Sequence, residues 1–180
     1  MLINRLDLLR CMQTVIKVVQ QKGAIPTLSG VSLCSENNLL QVRGTDLETG
    51  MEAQSVCQGD LKTVLPAKML LDIVSKLSND TVEITVKEGT AEIKCGRSHY
   101  KLSAMDFENY PIFPEIEAEP FFIPLAEIKK AINLTLFSVS NDETRGPLTG
   151  LCLDLTKKTL SATDGHRLSI AQNLRVAGEG

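Results

Sequence analysis

Apolar and polar residues alternate with two different periods along the first part of the chain. A helical period predicts a helix from about Asp7, a plausible N-cap, to Gln21, with one apolar stripe. Gly23 and Pro26 follow it and are expected to end it. Stretches that alternate with a period of two predict strands. These strands are Leu2–Asn4, Gly30–Cys34, Leu39–Thr45 and Met51–Cys57.

The same order of elements is predicted a second time in the next 45 or so residues. A strand precedes Pro66, and a helix follows it because proline suits the first turn of a helix. Two β-α-β-β-β halves in a row predict an α+β fold, in which antiparallel sheets back two helices. The elements of this second half are Leu61–Leu65, the helix Ala67–Leu77, Val82–Lys87, Ala91–Lys94 and His99–Ser103.

The chain also resembles itself after a shift of 120 residues. The run L-S-G-V-S-L from Leu28 meets L-T-G-L-C-L from Leu148, and Thr45-Asp46 falls on Thr163-Asp164 after a hairpin shorter by two residues. The repeat predicts a complete domain over residues 1–120, in which 106–120 form a linker, and half of a second domain over 121–180. We therefore expect a fragment of a longer protein. Its second unit would have uncovered apolar faces, which leaves partial disorder or pairing between chains as alternatives.

Charge is segregated, although the formal net charge of −3 by itself argues against nucleic-acid binding. The polar side of the first helix carries Arg10 and Lys17, and no acidic residue lies between Leu8 and Gly23. The matching helix of the second unit carries Lys129 and Lys130. A solvated helix face is the ordinary interpretation, but the shared bias of two corresponding helices favours surfaces that meet phosphates.

Motifs for nucleotide binding, nucleophilic catalysis and zinc proteolysis are absent from the sequence. A hydrolase hypothesis would have to use His166 as a base oriented by Asp164, and no nucleophile can be named beside them. We therefore expect no catalytic residue, no metal site and no cofactor. Five scattered cysteines indicate reduced thiols, and the lack of a long apolar run or a signal layout predicts a cytoplasmic protein with no membrane contact.

Several runs of residues resemble one family throughout the chain. They are R-G-P-L-T-G from Arg145, S-A-T-D-G-H-R-L from Ser161, V-L-P-A-K from Val64, G-R-S-H-Y-K-L-S from Gly96 and D-F-E-N-Y-P from Asp106. The chain resembles the bacterial DNA polymerase III β subunit, the β sliding clamp. That resemblance implies a ring-shaped head-to-tail homodimer with three similar domains in each subunit. Helices would line a hole around duplex DNA, and the ring would bind the replicative polymerase and the clamp loader through short peptides.

The resemblance adds candidate DNA-binding residues to the two that the helical period selects, Arg10 and Lys17. Lys22 and Lys68 look like basic DNA-contacting positions of the family, and the loop that contains Asn141 and Arg145 resembles a DNA-proximal loop. Contacts to phosphates without base reading would suit sliding.

The resemblance also implies two protein-binding surfaces. A peptide cleft would use the residues that we call the partner corner, and the rest of that cleft would lie after Gly180. Ring closure would use the strand His99–Ser103 with Arg97, Tyr100 and Leu102, although Tyr100 and Leu102 could equally be core residues of an ordinary strand. The partner corner consists of Leu148, Thr163, Gly165, His166, Arg167 and Leu168.

The function implied by the resemblance is that of a non-enzymatic tether, which holds the polymerase on DNA and serves as a docking platform. The alternative of another class is a protein-interaction scaffold on the same fold with no role on DNA. Retention on DNA separates the two, because a clamp is expected to slide off the ends of a linear duplex.

Overall fold

The computed structural model describes residues 1–20, 25–113 and 120–177 of the 180-residue chain. The chain divides into two compact units, Met1–Pro114 and Glu115–Gly180.

The first unit contains the two β-α-β-β-β halves that the sequence predicts. Its first half consists of β1 (Leu2–Asn4), α1 (Arg5–Val15), β2 (Gly30–Glu36), β3 (Leu39–Thr45) and β4 (Gly50–Gln58), with short 3₁₀ turns at Ile16–Val18 and Pro26–Ser29. Its second half consists of β5 (Leu61–Pro66), α2 (Ala67–Lys76), β6 (Thr81–Lys87), β7 (Thr90–Cys95) and β8 (Ser98–Ser103). The α+β prediction is therefore confirmed for this unit.

The two halves exchange their opening strands within one antiparallel sheet of eight strands, in the order β5-β2-β3-β4-β1-β6-β7-β8. The opening strand β1 pairs with β6 of the other half, and β5 pairs with β2. The helices α1 and α2 pack against each other, and the core between helices and sheet is aliphatic. Its fully buried members include Leu8, Met12, Val31, Leu33, Leu65, Leu70 and Val74.

The first helix begins earlier and ends sooner than its pattern predicts. The side chain of Asn4 accepts a hydrogen bond of 2.8 Å from the backbone N–H of Leu6, so Asn4 is the N-cap and Asp7 lies inside the first turn. The prediction of Asp7 as the cap was wrong, because the strand that ends at Asn4 leads directly into the helix. The α-helix ends at Val15, where a run of β-branched residues begins and the backbone tightens into a 3₁₀ turn.

Residues 106–113, predicted as the start of a linker, are part of the first unit, and so is Met105 just before them. The backbone N–H of Met105 donates to the carbonyl of Val64 at 2.8 Å, and the hydroxyl of Tyr110 donates to the carbonyl of Arg43 at 3.1 Å. The guanidinium of Arg43 also lies 5.3 Å from the centre of the Phe113 ring. Aromatic side chains in a stretch rich in proline and acids therefore fasten it to the sheet. The rest of the predicted linker, residues 114–119, lies outside the described residues.

The second unit repeats the first half of the first unit. It contains α3 (Leu125–Thr135), 3₁₀ segments at Leu136–Ser138 and Glu143–Thr149, and the strands β9 (Cys152–Asp154), β10 (Thr159–Thr163) and β11 (Leu168–Ala171). The sheet order β11-β10-β9 matches β4-β3-β2, and a bridge joins Phe122 to Ala177. The internal resemblance in sequence is thus a resemblance in structure.

Candidate nucleic-acid and partner-binding sites

Three cationic side chains lie on exposed positions of the helical layer of the first unit. Arg10 is on α1, Lys17 is in the 3₁₀ turn that follows it, and Lys68 is in the first turn of α2. Arg10 lies 3.5 Å from the carboxylate of Asp7, but the side chain of Arg10 is 77% exposed and that of Asp7 44% exposed, and a pair open to solvent stabilises little. These three residues, which we call the cationic helix face, remain available to an anionic ligand.

Two further residues modify the charge of this layer. Lys76 is exposed in the last turn of α2 and adds a cation that the sequence reasoning did not select. Asp72, also exposed on α2, adds a negative charge that offsets one of these cations. The candidate Lys22 lies outside the described residues.

In the second unit, the loop candidates Asn141 and Arg145 are both exposed but differ in their surroundings. The guanidinium of Arg145 donates a hydrogen bond to the backbone carbonyl of Asp164 and lies 4.0 Å from the carboxylate of Asp142. Arg145 therefore contacts the turn after β10, which belongs to the partner corner. The sequence could not predict this contact, because only the fold brings Arg145 and Asp164 together.

The turn after β10 is held by local hydrogen bonds between side chains and the backbone. The hydroxyl of Thr163 donates to the carbonyl of Arg167 at 2.7 Å and accepts from the N–H of Gly165 at 3.1 Å. The carboxylate of Asp164 accepts from the N–H groups of His166 and Arg167 at 2.9 and 3.0 Å. These bonds fix the backbone that carries the exposed residues His166 and Arg167.

The first unit has the same turn after β3. Thr45 and Asp46 make the corresponding bonds, and their distances lie between 2.6 and 3.0 Å. The residue after the aspartate has a positive φ in both turns, 79° at Leu47 and 87° at Gly165. The Thr-Asp pair is thus structural in both units, and the second unit supplies the glycine that this conformation favours.

This difference predicts opposite effects of two substitutions. Gly165→Ala is expected to lower the free energy of unfolding of the second unit by about 1–2 kcal/mol, because a Cβ is strained at this φ. A new Cβ there would be 3.6 Å from Arg145, so crowding adds nothing. Leu47→Gly is expected to raise the stability of the first unit by up to about 1 kcal/mol, since relief of strain outweighs the added chain entropy. Urea denaturation followed by circular dichroism measures the free energy of unfolding of both variants. A loss of stability in Leu47→Gly would contradict the positive φ described for Leu47.

The carboxylate of Asp164 accepts several of the hydrogen bonds that hold this turn. Hydrogen bonds from the backbone N–H groups of His166 and Arg167 lower the pKa of Asp164 to about 2, and the Arg167 guanidinium contributes through its 2.9 Å contact. Asp164 makes these bonds with the backbone of His166 and not with its imidazole, so the pairing required by the hydrolase hypothesis is not formed.

The lowered pKa predicts a pH dependence with a defined sign. An unfolded aspartate takes up its proton near pH 4, whereas folded Asp164 stays ionised until about pH 2. The stability that Asp164 contributes is therefore complete above about pH 4 and is lost as the pH falls toward 2. An NMR titration of the Asp164 side-chain carbonyl carbon should show a midpoint near pH 2; a midpoint near the ordinary value would show that the turn is open in solution.

Apolar side chains adjoin the turn and complete the partner corner. Leu168 is 63% exposed and pairs with Thr163 across the hairpin, whereas Leu148 is half-buried. The ring of Phe137 is 60% exposed and has the guanidinium of Arg167 at 5.8 Å from its centre. Phe137 is a residue that the sequence reasoning missed, because nothing in its neighbourhood along the chain distinguishes it from a core residue.

Two hydrogen bonds connect the elements of this corner. The hydroxyls of Ser138 and Ser169 are 2.6 Å apart, and the N–H of Ser140 donates to the carbonyl of Leu148 at 2.8 Å. The segment after α3 is therefore fastened both to β11 and to the loop that carries Leu148.

The candidate interface strand β8 is the last strand of the sheet of the first unit. Tyr100 is 39% exposed and Arg97 is exposed, so both can meet another chain. Leu102, however, is only 8% exposed and packs in the core, as expected for the ordinary strand that was the alternative interpretation. Tyr100 and Leu102 are two residues apart and lie on the same face of the strand, but the burial of Leu102 leaves it unable to contact another chain directly.

In the described part of the chain, no group of three or more metal-ligating side chains is present. None of the helices there is long and apolar enough to cross a bilayer.

Comparison with known proteins identifies both units. Residues 1–114 match the family model for the DNA polymerase III beta subunit, N-terminal domain, and residues 122–178 match the model for its central domain. The chain is 34% identical over 178 residues to the beta sliding clamp of Pseudomonas aeruginosa, covering 93% of this chain and 48% of that protein. It is 32% identical over 177 residues to the beta sliding clamp of Bacillus subtilis, with 91% and 47% covered.

Solved structures agree with this assignment and with the sliding-clamp fold. The DNA polymerase III subunit beta from P. aeruginosa superposes with a TM-score of 0.86 at 29% identity, and the DNA polymerase sliding clamp from B. subtilis with 0.87 at 29%. Each comparison covers 98% of this chain and 52% of the other. The chain spans about half the length of the curated relatives that it matches. The predicted resemblance and fold class are confirmed, and the chain belongs to the DNA polymerase III beta subunit family.

Proposed function

We propose that this chain acts as part of a DNA sliding clamp, which tethers the replicative polymerase to duplex DNA and serves as a docking platform for the clamp loader and other DNA-processing proteins. The observation that carries the proposal is the ordered match of two successive beta subunit domains over nearly the whole chain. The role is non-enzymatic, and it is exerted in the cytoplasm, where bacterial DNA is replicated. Residues 1–120 act as the first clamp domain, and 121–180 as the first half of the second.

Duplex DNA is bound through the cationic helix face, Arg10, Lys17 and Lys68. Phosphates repeat along the whole duplex whereas base edges differ, so lysine and arginine can exchange one phosphate for the next at nearly equal energy. Strong base contacts would create preferred positions and slow the movement. Lys22, Asn141 and Arg145 extend this set, although the hydrogen bond from Arg145 to Asp164 favours a role for Arg145 at the partner corner.

The partner corner receives apolar side chains from short peptides of the polymerase and the clamp loader. Exposed Leu168 and half-buried Leu148 supply an apolar wall, and Thr163 and Gly165 hold the turn from which His166 and Arg167 offer hydrogen-bond donors. A concave apolar site with a few fixed polar groups suits a peptide anchor. Two solved relatives, the sliding clamps of P. aeruginosa and Bartonella birtlesii, are bound to griselimycin, which provides a ligand for testing this corner.

The homodimer ring is closed at the edge of β8. An edge strand can extend a sheet into another chain through its backbone. Arg97 and Tyr100 supply the side-chain contacts, while buried Leu102 supports the strand from within.

A chimera tests the proposed function in a complete ring. The aligned part of this chain replaces the corresponding segment of the P. aeruginosa beta sliding clamp. The purified chimera is then loaded on nicked circular DNA with the clamp loader of that organism. We expect retention on the circle and rapid loss after the circle is cut, because a clamp leaves through free ends. Arg10→Glu, Lys17→Glu and Lys68→Glu together should weaken retention and lower the salt slope by about 0.9 for each phosphate that is no longer neutralised.

The matched control is Lys62→Glu, Lys87→Glu and Lys94→Glu, which changes the net charge equally on strands of the sheet. This control should retain DNA like the unmodified chimera. A chimera that binds griselimycin but is never retained on circular DNA would favour the scaffold alternative.

A further inference from the structure

Two exposed aliphatic side chains of the first unit lie beside its Thr-Asp turn. Leu47, in the turn after β3, is 59% exposed, and Ile112 is 95% exposed. A single exposed aliphatic residue is ordinary on a protein surface. These two, however, line one cavity of about 180 Å³, together with Pro111 and the ring of Phe113.

A second cavity adjoins the first and shares Pro111 and Ile112 with it. Its volume is about 370 Å³, and Phe107 and Tyr110 contribute aromatic walls. The two cavities together form one apolar depression, which belongs entirely to the first unit. We call it the acidic corner, for the charges described below, and define it by six residues: Leu47, Glu48, Phe107, Glu108, Pro111 and Ile112.

The chain is fastened to the sheet on both sides of Ile112. On one side, the hydroxyl of buried Tyr110 donates to the carbonyl of Arg43 at 3.1 Å. On the other side, the ring of Phe113 has the guanidinium of Arg43 at 5.3 Å from its centre and packs so closely on Gly50 that an added Cβ would lie at 2.8 Å. Ile112 is therefore held in a fixed position, and binding through it costs little conformational entropy.

Leu47 has a strained backbone that its own unit does not explain. Its φ is 79°, a conformation that favours the glycine found at the counterpart position, Gly165. A leucine buried in the core could offset this strain by packing, but the side chain of Leu47 is mostly in solvent. Strain that is retained without a gain in packing is typical of binding sites. It indicates that the leucine side chain contacts something outside the unit.

The charges of this corner are opposite in sign to those of the partner corner. Glu48 and Glu108 line the two cavities and are exposed. The cation that lines them, Arg43, already pairs with Glu52 at 2.6 Å. In the second unit, the counterpart of Glu48 is His166, a donor. The acidic corner therefore repels phosphates and acidic peptides and attracts lysine and arginine.

We propose that the acidic corner binds a short segment of a partner protein in which an apolar anchor is flanked by lysine or arginine. The anchor packs between Leu47 and Ile112, and the flanking cations meet Glu48 and Glu108. An apolar depression with a few charged groups at its margin suits such a segment. The site uses none of the residues assigned to DNA or to the partner corner, so it does not depend on either role.

Fluorescence anisotropy with the 180-residue chain and the labelled peptide G-K-K-I-F-K-K-G tests the site. We expect binding in the micromolar range, which Ile112→Ser and Leu47→Gly each weaken about tenfold. Leu47→Gly is the sharper variant, because it is expected to stabilise the first unit, so a loss of affinity cannot come from unfolding. Val56→Ser, at a residue that is 76% exposed on β4, is the matched control and should keep the affinity unchanged.

A charge exchange tests the role of the two glutamates. Glu48→Lys with Glu108→Lys should abolish binding of this peptide and confer binding of G-E-E-I-F-E-E-G. Asp60→Lys with Glu88→Lys changes the net charge equally at exposed residues of other turns and should preserve the original preference.

The peptide G-K-K-A-A-K-K-G, which lacks the anchor, should bind at least about tenfold more weakly than the first peptide. Failure of G-K-K-I-F-K-K-G to bind, or equal losses in the corner variants and their controls, overturns the proposal.

Discussion

Replacing Leu70 with alanine is expected to lower the free energy of unfolding of the first unit by about 2–5 kcal/mol. Leu70 is fully buried on α2, within the single core that both halves share. Truncation removes the Cγ methine and the two δ methyl groups from the core that both halves share, and it leaves a cavity that a packed core refills only in part. Urea denaturation followed by circular dichroism measures the loss as a lower midpoint.

The neighbouring residue on the same helix provides the matched control. Met69 is 59% exposed, and Met69→Ala should change the stability by no more than about 0.5 kcal/mol. Equal losses in the two variants would mean that α2 does not pack against the sheet as described.

Replacing Leu168 with alanine in the chimeric clamp is expected to weaken griselimycin binding by roughly 30-fold, which corresponds to about 2 kcal/mol for an anchor in a binding pocket. Leu168 is the most exposed apolar residue of the partner corner and begins β11 beside the hydrogen-bonded turn. His166→Ala should also weaken binding, by a smaller factor, since it removes a polar contact and leaves the turn intact. Isothermal titration calorimetry measures both.

Val56→Ala provides the control for Leu168→Ala. It truncates an aliphatic residue that is 76% exposed on β4 of the first unit, far along the chain from the partner corner. Its affinity for griselimycin should match that of the unmodified chimera. Unchanged affinity in both Leu168→Ala and His166→Ala would remove the partner corner from the binding site.

Periodicity predicted most of the secondary structure because several strands of the first unit bury mainly one face. Strand β3, for example, runs over the predicted Leu39–Thr45, with Leu40 and Val42 buried and Gln41 and Arg43 half-buried between them. Local pattern does not reveal which strands pair, so the exchange of β1 and β5 between the halves was not predicted. The ends of α1 were also predicted wrongly. Strand β1 leads directly into α1, so Asn4 is the cap, and the pattern of apolar residues does not show where the strand stops and the helix begins.

The candidate sites were predictable to different extents for physical reasons. The duplicated Thr-Asp pair predicted a structural turn, because side chains that bond to nearby backbone leave a local signature. The contact of Arg145 with Asp164 and the stacking of Arg167 on Phe137 join distant parts of the chain, so they leave no local signature in the sequence. Alternation along β8 placed Tyr100 and Leu102 on one face, but it could not show that Leu102 is buried while Tyr100 is 39% exposed, because exposure depends on the packing of the whole unit.

The exchange of opening strands also constrains how the protein can form during its synthesis. The first strand to leave the ribosome, β1, needs β6 as a neighbour, which appears about 80 residues later, as the pairing of Ile3 with Val82 requires. A nascent chain that has reached only β4 has an apolar α1 without α2 to cover it, so early segments stay vulnerable to aggregation until α2 and β6 emerge.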